Sequence, residues 1–459
     1  MSRARVRVLW VTTALVSVLA LGGGTFVGVR TGVWSDDPAT SVPAFPVPAL
    51  RSDPPAVLAP DGTTGPAPMA ARLAAVLAPL IADRRLGTSV SASVVDAETG
   101  RSLYDLRGNT PVAPASANKI ATATAVLAAV GPERRLVTSA VAGARPGDVV
   151  LVGGGDPTLS AGAGGTYPGA ARLDRLAAQV KKSGTGPLGR VVVDSRLFSG
   201  PVTGPGWDAD IVSAGFGAPI TALTLDGGRV NPRSDQREAA PDLAAGRAFA
   251  VALGIPAGRV IRGAATAGTT TLGTVASPPM LSMVEYLLTH SDNVLAETLG
   301  RQVALARHRS ASFAGAAAAV GQTLAGLGVD VRADRFVDGS GLSRLNRLTP
   351  ATLTTVLALA ASDGHPELRG VLTGLPVAGY SGTLARRYAS PPARPGIGVV
   401  RAKTGTLSGV SALSGVLLDA DGRQLAFAVV ADGVPAGGRK KAEQALDRIG
   451  AALAGCGCS

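Results

Sequence analysis

Cysteine and histidine are almost absent from this chain of 459 residues. The only two cysteines, Cys456 and Cys458, lie in the last four residues. The three histidines, His290, His308 and His365, are too far apart in sequence to form a local metal motif. These absences exclude thiol catalysis and a zinc site, and the sequence predicts neither a metal nor another cofactor.

Aromatic residues make up 3% of the chain and charged residues 17%. The net charge is nevertheless +12, and a basic chain raises the question of nucleic-acid binding. The basic residues are scattered rather than clustered, and few aromatic side chains are present to stack on bases. We therefore expect no nucleic-acid partner, and attraction to an anionic surface such as a cell wall or membrane is the better interpretation of the charge.

The N-terminus combines a basic flank with an apolar run. Arg3, Arg5 and Arg7 precede residues 8–29, which contain no charged side chain. A run of this length can cross a bilayer, and the basic flank keeps the N-terminus in the cytoplasm. The sequence therefore predicts an exported protein with a membrane anchor or a cleaved signal peptide over residues 1–33.

Residues 34–69 contain nine of the 32 prolines and show no sustained periodicity, which predicts an extended proline-rich linker. Folded structure is expected from residue 70. Helical spacing marks residues 70–85 and the closing segment around Leu446, and alternating patterns predict hairpins over residues 89–106 and 409–430. We expect the two ends to combine into one antiparallel sheet covered by helices, an α+β fold.

Ser116 stands at the start of a predicted helix that extends to about residue 130, three positions before Lys119. Residues three apart share one face of a helix, so the lysine amine can reach the serine hydroxyl. A neutral lysine can act as the base that makes serine a nucleophile, and burial or a second cation favours the neutral form. The plain alternative is an N-cap serine followed by a solvated lysine. Lysine is scarce, with six among 44 basic residues, and only Lys119 follows a serine at this spacing.

Lys403 lies on a predicted strand, directly before Thr404, Gly405 and Thr406. An edge strand at an active site can pair with an extended peptide, and the lysine can bind a carboxylate and supply a second cation. Gly405 permits close approach of another backbone. Taken alone, the segment is equally typical of a surface lysine before a turn.

Ser291, Asp292 and Asn293 lie between two predicted helices, residues 280–289 and 294–305. At such a junction Ser291 can relay a proton, and Asn293 can hold a peptide group or Lys119 through hydrogen bonds. A helix cap is the plain alternative for this triplet.

In this order, Ser-x-x-Lys, Ser-Asp-Asn and Lys-Thr-Gly form a motif set of penicillin-interacting serine enzymes. The chain resembles the D-alanyl-D-alanine carboxypeptidase/endopeptidase family, the class C penicillin-binding proteins, over nearly all of residues 70–433. The gap of 175 positions between Ser116 and Ser291 also resembles this family, whose members carry insertions there. Further segments that carry the resemblance are residues 153–159, 217–219, 222–223, 338–343, 375–379 and 382–384.

The resemblance implies a β-lactamase/transpeptidase-like catalytic domain with a β-rich inserted region. Short β-like runs interrupted by many Gly and Pro also predict an insertion over residues 140–277. The predicted division is 70–139 for the first part of the catalytic domain, 140–277 for the inserted region, 278–455 for the second part, and 456–459 for a cysteine-containing tail. Within the insertion, β-like runs are expected at residues 149–152, 190–193 and 220–225.

The resemblance also assigns roles. Ser116 is the nucleophile acylated by a muropeptide, Lys119 is the general base, and the N–H groups of Ser116 and Thr406 form the oxyanion hole. The implied catalytic residues are Ser116, Lys119, Ser291, Asn293 and Lys403. The implied substrate-binding residues are Thr404, Gly405 and Thr406.

The implied partners are peptidoglycan muropeptides as substrates and β-lactams as covalent inhibitors, outside the cytoplasm. Two alternatives stay open. A β-lactamase needs rapid deacylation, for which the sequence identifies no dedicated base, and the long insertion argues against it. A penicillin-binding scaffold would acylate slowly and hold wall proteins together.

Overall fold

The computed structural model describes residues 65–459. The predicted membrane segment and nearly all of the predicted linker lie in residues 1–64, outside the described residues. Within residues 65–459, no helix has both the length and the apolar character needed to cross a bilayer. At the other end of the chain, Cys456 and Cys458 form a disulfide.

Ten α-helices and ten β-strands occur in residues 65–459. The helices are α1 (Ala70–Ile81), α2 (Asn118–Ala129), α3 (Leu173–Lys182), α4 (Pro241–Leu253), α5 (Met280–His290), α6 (Asn293–Ala306), α7 (Phe313–Gly326), α8 (Pro350–Ala361), α9 (Arg369–Thr373) and α10 (Arg439–Ala454). The strands are β1 (Val90–Asp96), β2 (Ser102–Leu106), β3 (Val137–Ala142), β4 (Asp148–Val152), β5 (Arg190–Asp194), β6 (Val260–Arg262), β7 (Thr271–Ala276), β8 (Arg401–Leu407), β9 (Val410–Leu418) and β10 (Gln424–Asp432).

Strands from both ends of the described chain form one antiparallel sheet in the order β2-β1-β10-β9-β8. The two predicted hairpins, β1 with β2 and β9 with β10, are confirmed. The expected combination of the two ends is also confirmed, because β1 pairs with β10 along its length. This order leaves β8 at the edge of the sheet, where it can face a substrate.

Helices cover both faces of this sheet. Side chains alternate along β10: Leu425, Phe427 and Val429 pack with α1 and α10, whereas Ala426 and Ala428 pack in the core built by α2, α5 and α8. This period of two gives the sheet a buried apolar face on each side. The α+β prediction is therefore confirmed for the antiparallel sheet.

The middle of the chain forms a second, mixed sheet in the order β6-β5-β4-β3-β7. Strands β4, β5 and β6 are parallel, and β3 is antiparallel to both β4 and β7. Helices α3 and α4 contribute Leu176, Val180 and Phe249 to the core against this sheet. Strand β3 begins at Val137, so the second sheet starts before the predicted limit at residue 140.

The predicted strand at residues 220–225 is wrong. Leu223 forms only an isolated bridge, and the N–H of Ala222 donates to the Ser195 hydroxyl instead of to a neighbouring strand. Leu223 and Ala222 are nevertheless buried. A short apolar run does not distinguish a strand from a loop that packs into a core, because both bury the same side chains.

The predicted helix over residues 70–85 is shorter than expected. Helix α1 ends at Ile81, and a separate 3-10 turn follows at Arg84–Leu86. The Asp83 carboxylate accepts a hydrogen bond from the N–H of Arg85 and starts this turn. Capping of this kind competes with continuation of the helix.

Candidate active site

Ser116 lies in a tight 3-10 turn, Ala115–Ala117, that leads directly into α2. The preceding residue, Ala115, has φ +48°, a conformation that side chains other than glycine rarely adopt. Gly341 packs against this turn so closely that a Cβ on it would lie 1.9 Å from the Ala115 carbonyl oxygen. Surrounding contacts therefore hold the serine on a strained turn.

Lys119 lies one helical turn after Ser116 and is fully buried. Its Nζ lies 3.0 Å from the Ser116 Oγ, 2.6 Å from the Asn293 Oδ1 and 2.6 Å from the Ser340 carbonyl oxygen. The last two oxygens can only accept hydrogen bonds. A neutral amine therefore directs its two N–H groups at Asn293 and Ser340, and its lone pair faces the serine hydroxyl.

Burial lowers the pKa of Lys119 from 10.5 to about 8. The carboxylates of Asp338, Glu297 and Asp292 act in the opposite direction and keep the pKa from falling further. The charged form is disfavoured because the ammonium loses its hydration. Near pH 8 a large fraction of the amine is therefore neutral and able to accept a proton.

Lys403 projects from β8 and is also fully buried. Its Nζ donates to the Ser291 Oγ at 2.8 Å and to the Thr404 carbonyl oxygen at 2.9 Å. Burial and the neighbouring Lys119 cation hold the pKa of Lys403 well below its usual value. The two lysines thus disfavour each other's charge, and each contacts a different serine.

Ser291 and Asn293 flank the short junction between α5 and α6. Ser291 has the left-handed conformation, with φ +58°, and ends α5. Asp292 accepts from the N–H of Leu295 and caps α6. The Asn293 amide bridges two parts of the site, since its Oδ1 contacts Lys119 and its Nδ2 donates to the Phe216 carbonyl oxygen at 2.7 Å.

The three residues after Lys403 form one wall of the site. The Thr404 hydroxyl donates to the Thr383 hydroxyl at 2.8 Å. A Cβ at Gly405 would lie 2.7 Å from the Pro114 carbonyl oxygen, so only glycine lets β8 approach the turn that carries Ser116. Thr406 faces the cleft.

The cleft beside these residues has a volume of about 820 Å³. The edge strand β8 provides one side, and loops from the second sheet provide another. Residues that line it include Ser116, Ser291, Asn293, Thr406, Asp208, Phe216 and Arg344. Of the residues predicted from the sequence, Ser116, Ser291, Asn293 and Thr406 line this cleft. Lys119 and Lys403 lie buried behind it, in hydrogen-bond contact with Ser116 and Ser291.

Sequence reasoning missed Glu297 and the carbonyl group of Ser340. The Glu297 carboxylate accepts hydrogen bonds from the N–H groups of Gly339 and Ser340, at 3.1 and 2.7 Å. Burial, together with the Asp338 carboxylate, raises the pKa of Glu297 to about 7. Glu297 lies four residues after Asn293 on the same helix, and this spacing was the available signal.

The sequence profile of the D-Ala-D-Ala carboxypeptidase 3 (S13) family matches residues 73–240 and 236–453. A carboxypeptidase DacB from Mycolicibacterium smegmatis is 40% identical over 453 residues, which cover 97% of this chain and 95% of that relative. A D-alanyl-D-alanine carboxypeptidase from Actinomadura is 32% identical in a match that covers 77% of this chain and 80% of that relative.

Among solved structures, penicillin binding protein 4 (dacB) from Haemophilus influenzae has a TM-score of 0.67 at 23% identity, covering 82% of this chain and 97% of that chain. The same protein complexed with a β-lactam has a TM-score of 0.64 at 21% identity, with the same coverage. This likeness shows a shared fold. The profile and the curated relatives confirm the resemblance found in the motifs, and the chain belongs to the D-Ala-D-Ala carboxypeptidase 3 (S13) family.

Proposed function

We propose that this protein is a serine-type D-Ala-D-Ala carboxypeptidase that acts on peptidoglycan stem peptides through an acyl-enzyme and is acylated by penicillins. One observation carries the proposal: two acceptor-only oxygens fix the Lys119 amine so that its lone pair faces the Ser116 hydroxyl. The family membership and the names of the curated relatives support the carboxypeptidase activity. The β-lactam complex of the structural neighbour supports penicillin as a ligand.

In the acylation step, Lys119 takes the hydroxyl proton as the Ser116 Oγ attacks the carbonyl carbon of the penultimate D-Ala. The bond from that carbon to the nitrogen of the terminal D-Ala breaks, and Ser291 relays a proton to the leaving amine. Water then attacks the ester with Lys119 as base, which releases the shortened stem and restores the serine. The oxyanion forms at the N–H groups of Ser116 and Thr406.

Lys403 and Thr404 meet the terminal carboxylate of the substrate. An anion beside Lys403 favours its ammonium form, because an opposite charge raises the pKa of an amine. The resulting cation beside Lys119 favours the neutral form of that lysine, since the two lysines disfavour each other's charge. Binding of the substrate carboxylate therefore prepares the base for proton transfer.

The protein works outside the cytoplasm, where peptidoglycan lies. The proposal rests on Arg3, Arg5 and Arg7 before the uncharged residues 8–29, which anchor the chain in the membrane or direct its secretion into the cell wall. The proline-rich linker then holds the catalytic part away from the membrane.

The test uses the full chain and a pentapeptide ending in D-Ala-D-Ala, with released D-Ala measured by mass spectrometry. The wild-type protein is expected to release D-Ala, Ser116→Ala is expected to lose this activity, and Ser102→Ala on the exposed surface of β2 is the matched control. Release by Ser116→Ala at the wild-type rate would refute the assignment of the nucleophile. Digestion of cross-linked muropeptide dimers measures endopeptidase action in the same assay, since only that action yields monomers.

A further inference from the structure

Tyr167 connects the region of the second sheet to the junction between α5 and α6. The residue lies in the loop before α3, and its side chain is buried, with 5% exposed. Its hydroxyl donates to the Asp292 Oδ2 at 2.8 Å, while the Asp292 Oδ1 accepts from the N–H of Leu295 at 3.0 Å. One carboxylate therefore ties the tyrosine to the first turn of α6.

Asp292 stands between two residues that contact the active-site lysines. Ser291 accepts from Lys403 at 2.8 Å, and Asn293 accepts from Lys119 at 2.6 Å. Ser291 has φ +58°, so the junction is not held by the backbone preference of its own residues. Contacts from outside must fix it, and Asp292 receives one of them from Tyr167.

The tyrosine itself is held on several sides. Its ring packs edge-on against Tyr286 of α5, with ring centroids 5.0 Å apart. The Arg229 guanidinium lies over the ring and donates to the hydroxyl at 3.3 Å and to the Asp226 carbonyl oxygen at 2.9 Å. Gly227 leaves room for the hydroxyl, since a Cβ there would lie 2.3 Å from it. The orientation of Tyr167 is therefore set before any substrate binds.

A second tie joins the same two regions. The Phe216 carbonyl oxygen accepts from the Asn293 Nδ2, and the carbonyl oxygen of the preceding residue, Gly215, accepts from Arg237. Arg237 also donates to the Gly227 carbonyl oxygen. Consequently, the segment that supplies Phe216 and the turn that accommodates Tyr167 are fixed to one another.

We propose that Tyr167 is a positioning residue for acylation, which acts through Asp292 to hold Ser291 and Asn293 against the two lysines. The region of the second sheet therefore contributes, through Tyr167, to the positioning of the active-site residues Ser291 and Asn293. This inference rests on the proposed acyl-enzyme function.

The first test compares Tyr167→Phe with wild type in the full chain, by the second-order rate of acylation with fluorescent penicillin. The variant removes only the hydroxyl, and acylation is expected to slow about tenfold while the midpoint of thermal unfolding changes by only a few degrees. Tyr104→Phe on β2 is the matched control, expected to react at the wild-type rate. An unchanged rate in Tyr167→Phe would overturn the inference.

A double-mutant cycle separates positioning from a general loss of stability. In an Asp292→Ala background, Tyr167→Phe is expected to slow acylation less than twofold further, because its effect passes through Asp292. A further tenfold loss in that background would contradict the proposed route. If the wild-type protein were neither acylated by penicillin nor able to release D-Ala, the proposed function would be refuted. If the wild-type protein were acylated and Tyr167→Phe were acylated at the same rate, only the inference about Tyr167 would be refuted.

Discussion

The basic side chains of the active site beside the antiparallel sheet and those on the surface of the second sheet's region lie in opposite environments. Around the antiparallel sheet, Lys119 and Lys403 are fully buried, and neither forms a salt bridge within the described residues. In the region of the second sheet, Arg196 keeps 65% of its side chain exposed while it contacts Asp194 at 2.9 Å. Lys181, on α3, is exposed as well.

The buried active-site lysines lower the stability of the fold, and the same burial gives them the lowered pKa values that a base needs. Burying an unpaired cation costs several kcal/mol, because its hydration is not replaced. In the pair of Arg196 with Asp194, the guanidinium stays mostly in water, so this cation keeps most of its hydration. Burial of Lys119 and Lys403 without a salt bridge to any described residue lowers their pKa values, and a lowered pKa is what a lysine base requires.

The strongest way to sharpen the comparison is to replace one lysine in each region by methionine. Lys119→Met is expected to slow penicillin acylation at least about a thousandfold, since the serine loses its base. Its free energy of unfolding at pH 7 is expected either to rise or to fall by a small amount, and any fall should be less than about 2 kcal/mol. The reason is that removal of a buried charge offsets the loss of the hydrogen bonds. Acylation kinetics and urea unfolding measure the two effects.

Lys181→Met is the matched control for this substitution, because the lysine is exposed and distant from the cleft. It is expected to change neither acylation nor unfolding measurably. The comparison between the regions would break if Lys119→Met kept the wild-type acylation rate, or if it lost more than about 4 kcal/mol of stability, the loss expected when a favourable buried pair is disrupted.

The next prediction concerns pH. The base must be neutral and the pKa of Lys119 is about 8, so the acylation rate should rise about tenfold per pH unit below pH 8 and level off above it. Second-order rates of penicillin acylation from pH 6 to pH 9.5 measure this dependence. A rate that is flat over this range would show that the serine reacts without a titrating amine.

The same lowered pKa predicts the direction of stability with pH. Between about pH 8 and 10.5 the unfolded chain binds the Lys119 proton and the folded chain does not, so the free energy of unfolding rises with pH. Below pH 8 the folded lysine is charged, and the penalty of about 3 kcal/mol is present in full, from a shift of roughly 2.5 pKa units. Urea unfolding at pH 7.5 and pH 10 should show a smaller rise in Lys119→Met than in wild type.

The last prediction compares a glycine from each region. Gly341 and Gly164 both have positive φ, +81° and +87°, but a Cβ at Gly341 would lie 1.9 Å from the Ala115 carbonyl oxygen, whereas Gly164 has open space. Gly341→Ala is expected to lower the free energy of unfolding by at least about 3 kcal/mol, and Gly164→Ala by about 1 kcal/mol. Equal losses in urea unfolding would mean that packing beside the Ser116 turn is not tight.

The parts of the site that could be predicted from sequence are local ones. Ser116 and Lys119 share one helical turn, so spacing alone brought them together. Lys403 and Ser291 are 112 positions apart, and only the family resemblance joined them. Ser340 contributes a main-chain carbonyl, which carries no residue-specific signal, and Tyr167 reaches Asp292 across 125 positions.

In the fold as well, local features could be predicted from the sequence and pairings between distant segments could not. The hairpins formed by β1 with β2 and β9 with β10 could be predicted, because alternation and turn residues are local signals. The run at residues 220–225 misled the prediction, since its apolar side chains are buried without a strand partner. The mixed order of the second sheet depends on pairings distant in sequence, such as β3 with β7, and no local pattern encodes them.

The most direct measurement is mass spectrometry of the full-length protein after incubation with penicillin at pH 8. A single penicilloyl adduct is expected, located by peptide mapping on Ser116 and absent from Ser116→Ala. The adduct should form more slowly at pH 6, where Lys119 is protonated. An adduct on any other residue, or labelling of Ser116→Ala to the wild-type extent, would contradict the serine acyl-enzyme account.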